Sequence, residues 1–178
     1  MTNTSLRWGR EYNDSRESEK RLQCILNDIK QNPVSEHPTA MDLGANTGFF
    51  SLGLADAGFR VAAVEPPSDK KMSYVGVTEY RHWVQEADDL PTGPFDVSLV
   101  LSVLHHIPRW CDVLDGVFAR TNHLVYVEVP HPDEKHPKWF GSRESLAYLR
   151  KLPNAVQIGE HYESTHRLKR PLFRIEVL

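Results

Sequence analysis

No apolar run in the 178-residue chain approaches the roughly 20 residues that a membrane-spanning helix needs. That absence argues against a transmembrane channel or transporter. Cysteine is scarce. Cys24 and Cys111 stand far apart and in no metal-ligand spacing, which excludes a disulfide scaffold and a zinc finger. Both are expected to be reduced packing residues of a cytoplasmic protein. Met1 to Ser5 has no apolar signal region behind it, which fits the same expectation. There is no internal repeat and no low-complexity segment, so a solenoid is excluded. An excess of basic charge is missing too. The net charge is -3, which argues against a nucleic acid wrapping the whole surface.

What is present is an ordinary globular composition, 40% hydrophobic and 25% charged. The length suits one domain with a real core, and residues 1–178 are read as a single domain. Its charge is uneven. Residues 1–31 carry six basic and five acidic side chains, residues 32–130 six and thirteen, and residues 131–178 nine and six. The C-terminal part could meet an anionic substrate, although a solvated surface with no partner is the favoured reading.

Along the chain, residues 1–31 form a polar lead and then a helix. From Ser15 to about Lys30, Leu22, Ile25, Leu26 and Ile29 recur at helical spacing, and Asn32-Pro33 stops the pattern. Residues 38–43 predict a first strand. Thr47 to Ala57 predicts a helix, with Gly58 as its C-terminal cap. Arg60 to Val64 predicts a second strand, and residues 66–79 an irregular stretch with room for a short helix. Further strands are expected at Tyr80 to Val84, Phe95 to Leu101, Leu124 to Val127, Ala155 to Ile158 and Leu172 to Leu178. Helices are expected where Trp110, Val113, Leu114, Val117 and Phe118 share a face, and after Ser142, a candidate cap. Strands alternating with helices predict an α/β, doubly wound, three-layer sandwich with one crevice beyond the strand ends. The loop between the two closing strands is too short for a helical crossover, so that pair is expected to be antiparallel. Residues 38–130 would form a cofactor-binding core, and residues 131–178 a C-terminal helix and the closing strand pair.

The stretch from Met41 to Phe50 carries the chemistry. Gly44 lets the backbone leave the first strand sharply, and Gly48 lets the helix start approach a ligand. Asn46 tolerates positive φ. Backbone N–H groups at the helix start would face that ligand. Glu65 lies twenty-one residues after Gly44, at the end of the second strand, where a carboxylate accepts hydrogen bonds from both ribose hydroxyls. The dinucleotide fingerprint Gly-x-Gly-x-x-Gly is not met, because Asn46 stands at the second glycine. Asp42 beside the turn would repel a pyrophosphate but suits the ammonium group of a methionine-like tail. S-adenosylmethionine (SAM) is therefore favoured over NAD.

On these residues the chain resembles the class I SAM-dependent methyltransferases. The match runs through Asp42-Leu43-Gly44-Ala45-Asn46-Thr47-Gly48, Glu65, Glu86-Ala87-Asp88-Asp89-Leu90-Pro91, and the strand from Phe95 with its exit Val103-Leu104-His105-His106-Ile107. The resemblance implies a mostly parallel seven-stranded sheet whose last strand is antiparallel. It implies that Asp42, Gly44 and Gly48 surround the methionine part of SAM, that Glu65 holds the ribose, and that Glu86 and Ala87 flank the adenine. The family often has Asp where Glu86 stands.

Methyl transfer needs an aligned nucleophile and sometimes a base. His105 and His106 leave the fourth strand, and Glu128 and His131 leave the fifth. His106 and His131 are the candidate bases, with His105 beside them, and the expected acceptor is a hydroxyl or nitrogen of a small molecule. An RNA or nucleotide end is the alternative, and a non-catalytic SAM-binding module is another. His105, His106, Glu128 and His131 could converge on a divalent metal, as in the small-RNA 3′-terminal 2′-O-methyltransferases. That family has Glu-x-x-Glu-His where this chain has Ser102-Val103-Leu104-His105-His106, so no metal ligand is assigned. Trp8, Tyr12 and Arg16 could cover the cofactor. Lys135, His136, Lys138, Trp139 and Arg143 interleave basic and aromatic groups that could serve a phosphate or a base. A monomer or homodimer is expected.

Overall fold

The computed structural model describes residues 17–68, 74–134, 140–162 and 168–177. The expectations placed on Trp8, Tyr12, Arg16, Lys135, His136, Lys138 and Trp139 lie outside those residues.

Seven strands form one sheet. They are β1 (Thr39–Leu43), β2 (Arg60–Glu65), β3 (Val77–Arg81), β4 (Phe95–Leu101), β5 (Thr121–Glu128), β6 (Ala155–Tyr162) and β7 (Lys169–Glu176). Their spatial order is β3-β2-β1-β4-β5-β7-β6. β1 to β5 pair in parallel, with Asp42 beside Ala63 and Leu99. β7 runs antiparallel between β5 and β6. This is the doubly wound α/β sheet with the antiparallel last strand.

Among the described residues four helices cover it: α1 (Ser18–Gln31), α2 (Phe49–Asp56), α3 (Trp110–Ala119) and α4 (Ser142–Leu149). Strand alternation sends side chains to two separate cores. Val97, Leu99 and Tyr126 pack with Ile25 and Ile29 of α1 and Leu54 of α2 on one face. Met41, Val100, Val125 and Val127 pack with Val113, Leu114 and Val117 of α3 and Leu146 and Leu149 of α4 on the other.

Several boundaries differ from the sequence reading. β3 lies at Val77–Arg81 rather than Tyr80 to Val84. It is an edge strand, with no fully buried residue to mark it, whereas Val84 is buried beyond the strand. α4 begins at Ser142 itself, and Gly141 holds the cap position at φ 55 with the Trp110 indole packed against it. Gly141, rather than Ser142, therefore holds the N-cap position. β5 and β7 both start earlier than their most apolar runs.

Strand order reverses between β1 and β4. A crevice beyond the C-terminal strand ends at that switch is where sheets of this kind bind ligands.

Candidate active site

The exit of β1 shapes the crevice. Gly44, Asn46 and Gly48 have φ of 79, 50 and 82, so the turn needs three left-handed residues within five positions. Gly44 also cannot bear a side chain. A Cβ there would lie 2.8 Å from Cγ2 of Val103, which follows β4. The N–H groups of Gly44 and Ala45 both donate to the Val64 carbonyl, at 2.9 and 3.0 Å, and pin the turn to β2. The Asn46 N–H donates to Glu65 Oε2 at 2.8 Å.

A cavity of about 580 Å³ opens over this turn. Asp42, Gly44, Asn46 and Glu65 line it from β1 and β2, and Ser102, Val103 and His106 from the exit of β4. Asp42 is only 2% exposed, and its Oδ2 accepts from the Ser51 hydroxyl at 2.6 Å. Burial pushes its carboxyl up from 3.8 to about 6; Glu65 adds repulsion and Ser51 opposes it. A smaller recess of about 50 Å³ shares Gly44, Glu65, Pro66, Trp83, Val103 and His106, and adds Val84, Gln85 and Ile107.

The sequence-predicted residues are distributed as follows. Asp42, Gly44, Asn46, Glu65 and His106 meet at one cavity. Gly48 is buried in the same turn, and its carbonyl accepts from Leu52 N at 2.8 Å to start α2. His105 is buried behind His106, with ring centroids 4.1 Å apart. His131 does not line either cavity. Its Nδ1 accepts from the Asp133 N–H at 3.2 Å, and its own N–H donates to Glu134 Oε1 at 2.8 Å. Glu86 and Ala87 also lie outside both linings. Glu86 pairs with Arg109 and caps a 3-10 turn. The Ala87 N–H donates to Asp112 Oδ2 at 3.0 Å. Gln85, one residue earlier, lines the smaller recess instead.

Several lining residues were missed in the sequence. Ser18 and Arg21 come from α1, Phe50 from α2, and Trp83 from beyond β3. Trp83 is 65% exposed for so large a side chain, and it borders both cavities. Glu128, a metal candidate in the sequence, accepts instead from Arg21 at 2.8 Å and from Ser102. Among the described residues, no three His, Cys, Asp or Glu side chains converge as metal ligands.

A family model described as a methyltransferase domain matches residues 15–169. The chain belongs to the methyltransferase-domain family. The methyl donor of such domains is SAM. The cradle fits it: a turn with no room for a side chain at Gly44, a carboxylate at the end of β2, and a buried acid for a cationic tail. Solved structures share the fold. The bifunctional kinase-methyltransferase WbdD, solved with a kinase inhibitor, aligns with a TM-score of 0.72 at 21% identity, over 94% of this chain and 43% of that one. The N-terminal domain of EvdMO1 with S-adenosylhomocysteine (SAH) bound gives 0.62 at 14% identity, over 89% and 80%. Magnesium protoporphyrin IX methyltransferase from Synechocystis PCC 6803 with SAH bound gives 0.64 at 14%, over 90% and 84%. This methyltransferase domain thus spans less than half the length of the WbdD chain. A search of curated proteins returned no match.

Proposed function

We propose that residues 1–178 act as one cytoplasmic methyltransferase domain that methylates a hydroxyl or nitrogen of a small molecule. The observation that carries this reading is the shared cavity. The glycine turn, Asp42 and Glu65 line one part of it, and Ser102 and His106 line another. Donor and acceptor groups can therefore meet inside one enclosure.

SAM supplies a methyl group already activated on its sulfonium. The chain's own residues bind, orient and deprotonate. Asp42, Gly44, Asn46 and Gly48 hold the methionine part, and Glu65 the ribose hydroxyls. Val84, Gln85 and Ile107 supply the recess for a flat base, next to Glu86 and Ala87. His106, exposed at the lining, accepts the proton of the acceptor. His105 packs on its ring and orients it. His131 would act only through a movement that brings it to the cavity.

A volume of about 580 Å³ suits a small acceptor beside the donor. Two structural neighbours, a magnesium protoporphyrin IX methyltransferase and the N-terminal domain of EvdMO1 in the presence of SAH and D-fucose, are consistent with small acceptors. The test is labelled methyl transfer from SAM to a panel of hydroxyl- and amine-bearing metabolites and to total RNA. Label in a metabolite is expected. Label confined to RNA would overturn the acceptor class, and loss of all binding to SAM and SAH would overturn the methyltransferase reading itself.

A further inference from the structure

The wall that α1 contributes to the cavity contains a buried cation that is only half used. Arg21 of α1 is 6% exposed and lines the cavity with Ser18. A guanidinium carries five N–H donors. Arg21 Nη1 donates to Glu128 Oε1 at 2.8 Å and Nη2 to Ser18 Oγ at 3.2 Å. Its Nε is buried without a partner. The guanidinium carbon lies 5.1 Å from the Phe50 ring centroid, so the cation sits above the start of α2, directly after the glycine turn.

Its position is fixed by a chain of alternating charges. Glu128 also accepts from Ser102 Oγ. Arg170 Nη1 donates to Ser102 Oγ at 2.9 Å, and Arg170 Nε and Nη2 hold Glu134 at 2.9 and 2.5 Å. α1, the exit of β4, β5 and β7 are thereby joined through buried polar groups. Such a chain costs desolvation energy and holds a side chain in one place.

The amino-acid tail of SAM is zwitterionic, with an ammonium and a carboxylate. Asp42 answers the first. We infer that Arg21 answers the second: it is a donor-binding residue that takes the tail carboxylate, with Glu128 as the positioning residue that aims it. This rests on the methyltransferase reading above. A guanidinium suits a carboxylate because it can give two parallel N–H bonds, and the start of α2 beside it adds backbone donors.

Calorimetric titration of the intact chain separates the possibilities, with SAH and 5′-methylthioadenosine, which lacks the amino-acid tail. Arg21→Gln should weaken SAH roughly 10- to 100-fold, the range of hydrogen bonds to charged groups, and change 5′-methylthioadenosine by less than about twofold. Arg21→Lys should recover part of the loss. Equal weakening of both ligands, or no change in either, would overturn the assignment. A second measurement needs no variant. Wild-type protein should bind SAH more tightly than its decarboxylated analogue by the same factor, and equal affinities would overturn the proposal. Wild-type protein that binds neither SAH nor 5′-methylthioadenosine would instead sink the methyltransferase reading, so the two failures are distinguishable.

Discussion

The backbone N–H of Asn46 donates to the Glu65 carboxylate at 2.8 Å. One oxygen of the acid at the end of β2 thus fixes the turn after β1, and the same carboxylate lines the cavity. Glu65→Ala should therefore both loosen the turn and remove the ribose partner. We expect SAH affinity to fall by roughly 10-fold or more, the scale of charge-assisted hydrogen bonds. Calorimetry on the folded variant measures it, and unchanged affinity would contradict the role.

Gly44→Ala tests the cradle. The new methyl group would sit 2.8 Å from Val103 in a residue held at φ 79. Strain of this kind costs of order 1–3 kcal/mol. The variant should melt at lower temperature and lose SAH binding. A stable variant with normal binding would show that the turn does not approach the ligand closely.

Asp42 gives the apo protein a pH dependence. Its carboxyl rises from 3.8 to about 6, mainly through burial. The native state then keeps a proton that the unfolded state has released. The associated stability is complete below the unfolded value and is lost as pH rises through about 6. Two units correspond to on the order of 3 kcal/mol. Chemical denaturation between about pH 4 and about pH 7 should show wild type losing stability relative to Asp42→Asn as pH rises. The ligand reverses the preference. A cationic tail favours the ionised acid, so SAH affinity should weaken below about pH 6, and binding there should release a proton. Asp42→Asn should lack that release when heats are compared in buffers of different ionisation enthalpy.

His106→Ala separates binding from chemistry. SAH affinity should remain near wild type, while methyl transfer to an identified acceptor falls by about 10²- to 10⁴-fold, the usual contribution of a general base. His131→Ala is the informative companion. Turnover that collapses in His131→Ala and survives in His106→Ala would move the base to the far side of the β5 exit.

The sequence displayed best what burial writes into it. Phe95–Leu101 is apolar on both faces because both faces are covered, and its limits were legible to the residue. Val77–Arg81 lies at a sheet edge, has no fully buried residue and mixes polar with apolar side chains, and so gave no comparable signal. The cradle residues were legible because a left-handed turn demands glycine or asparagine, as at Gly44, Asn46 and Gly48. Arg21, Ser102 and Trp83 were not, because no local rule fixes where a helix face or a strand exit points. One signal for Arg21 existed: it stands four residues before Ile25, on the apolar stripe of α1, where a charge calls for a partner.

β7 joins the sheet between β5 and β6, yet it follows both in the chain. Its Arg170 reaches Ser102, and its Arg174 bonds Asp28 of α1 at 3.3 Å, beside the Tyr126 hydroxyl at 2.7 Å. The wall that holds Arg21 is therefore encoded early and secured late. During synthesis the glycine turn, Glu65 and His106 all emerge before the strand that completes their enclosure. Until β7 arrives, β5 presents an open apolar edge. Ligand binding should accordingly appear in one step with the arrival of that strand rather than grow as the ribosome releases the parts.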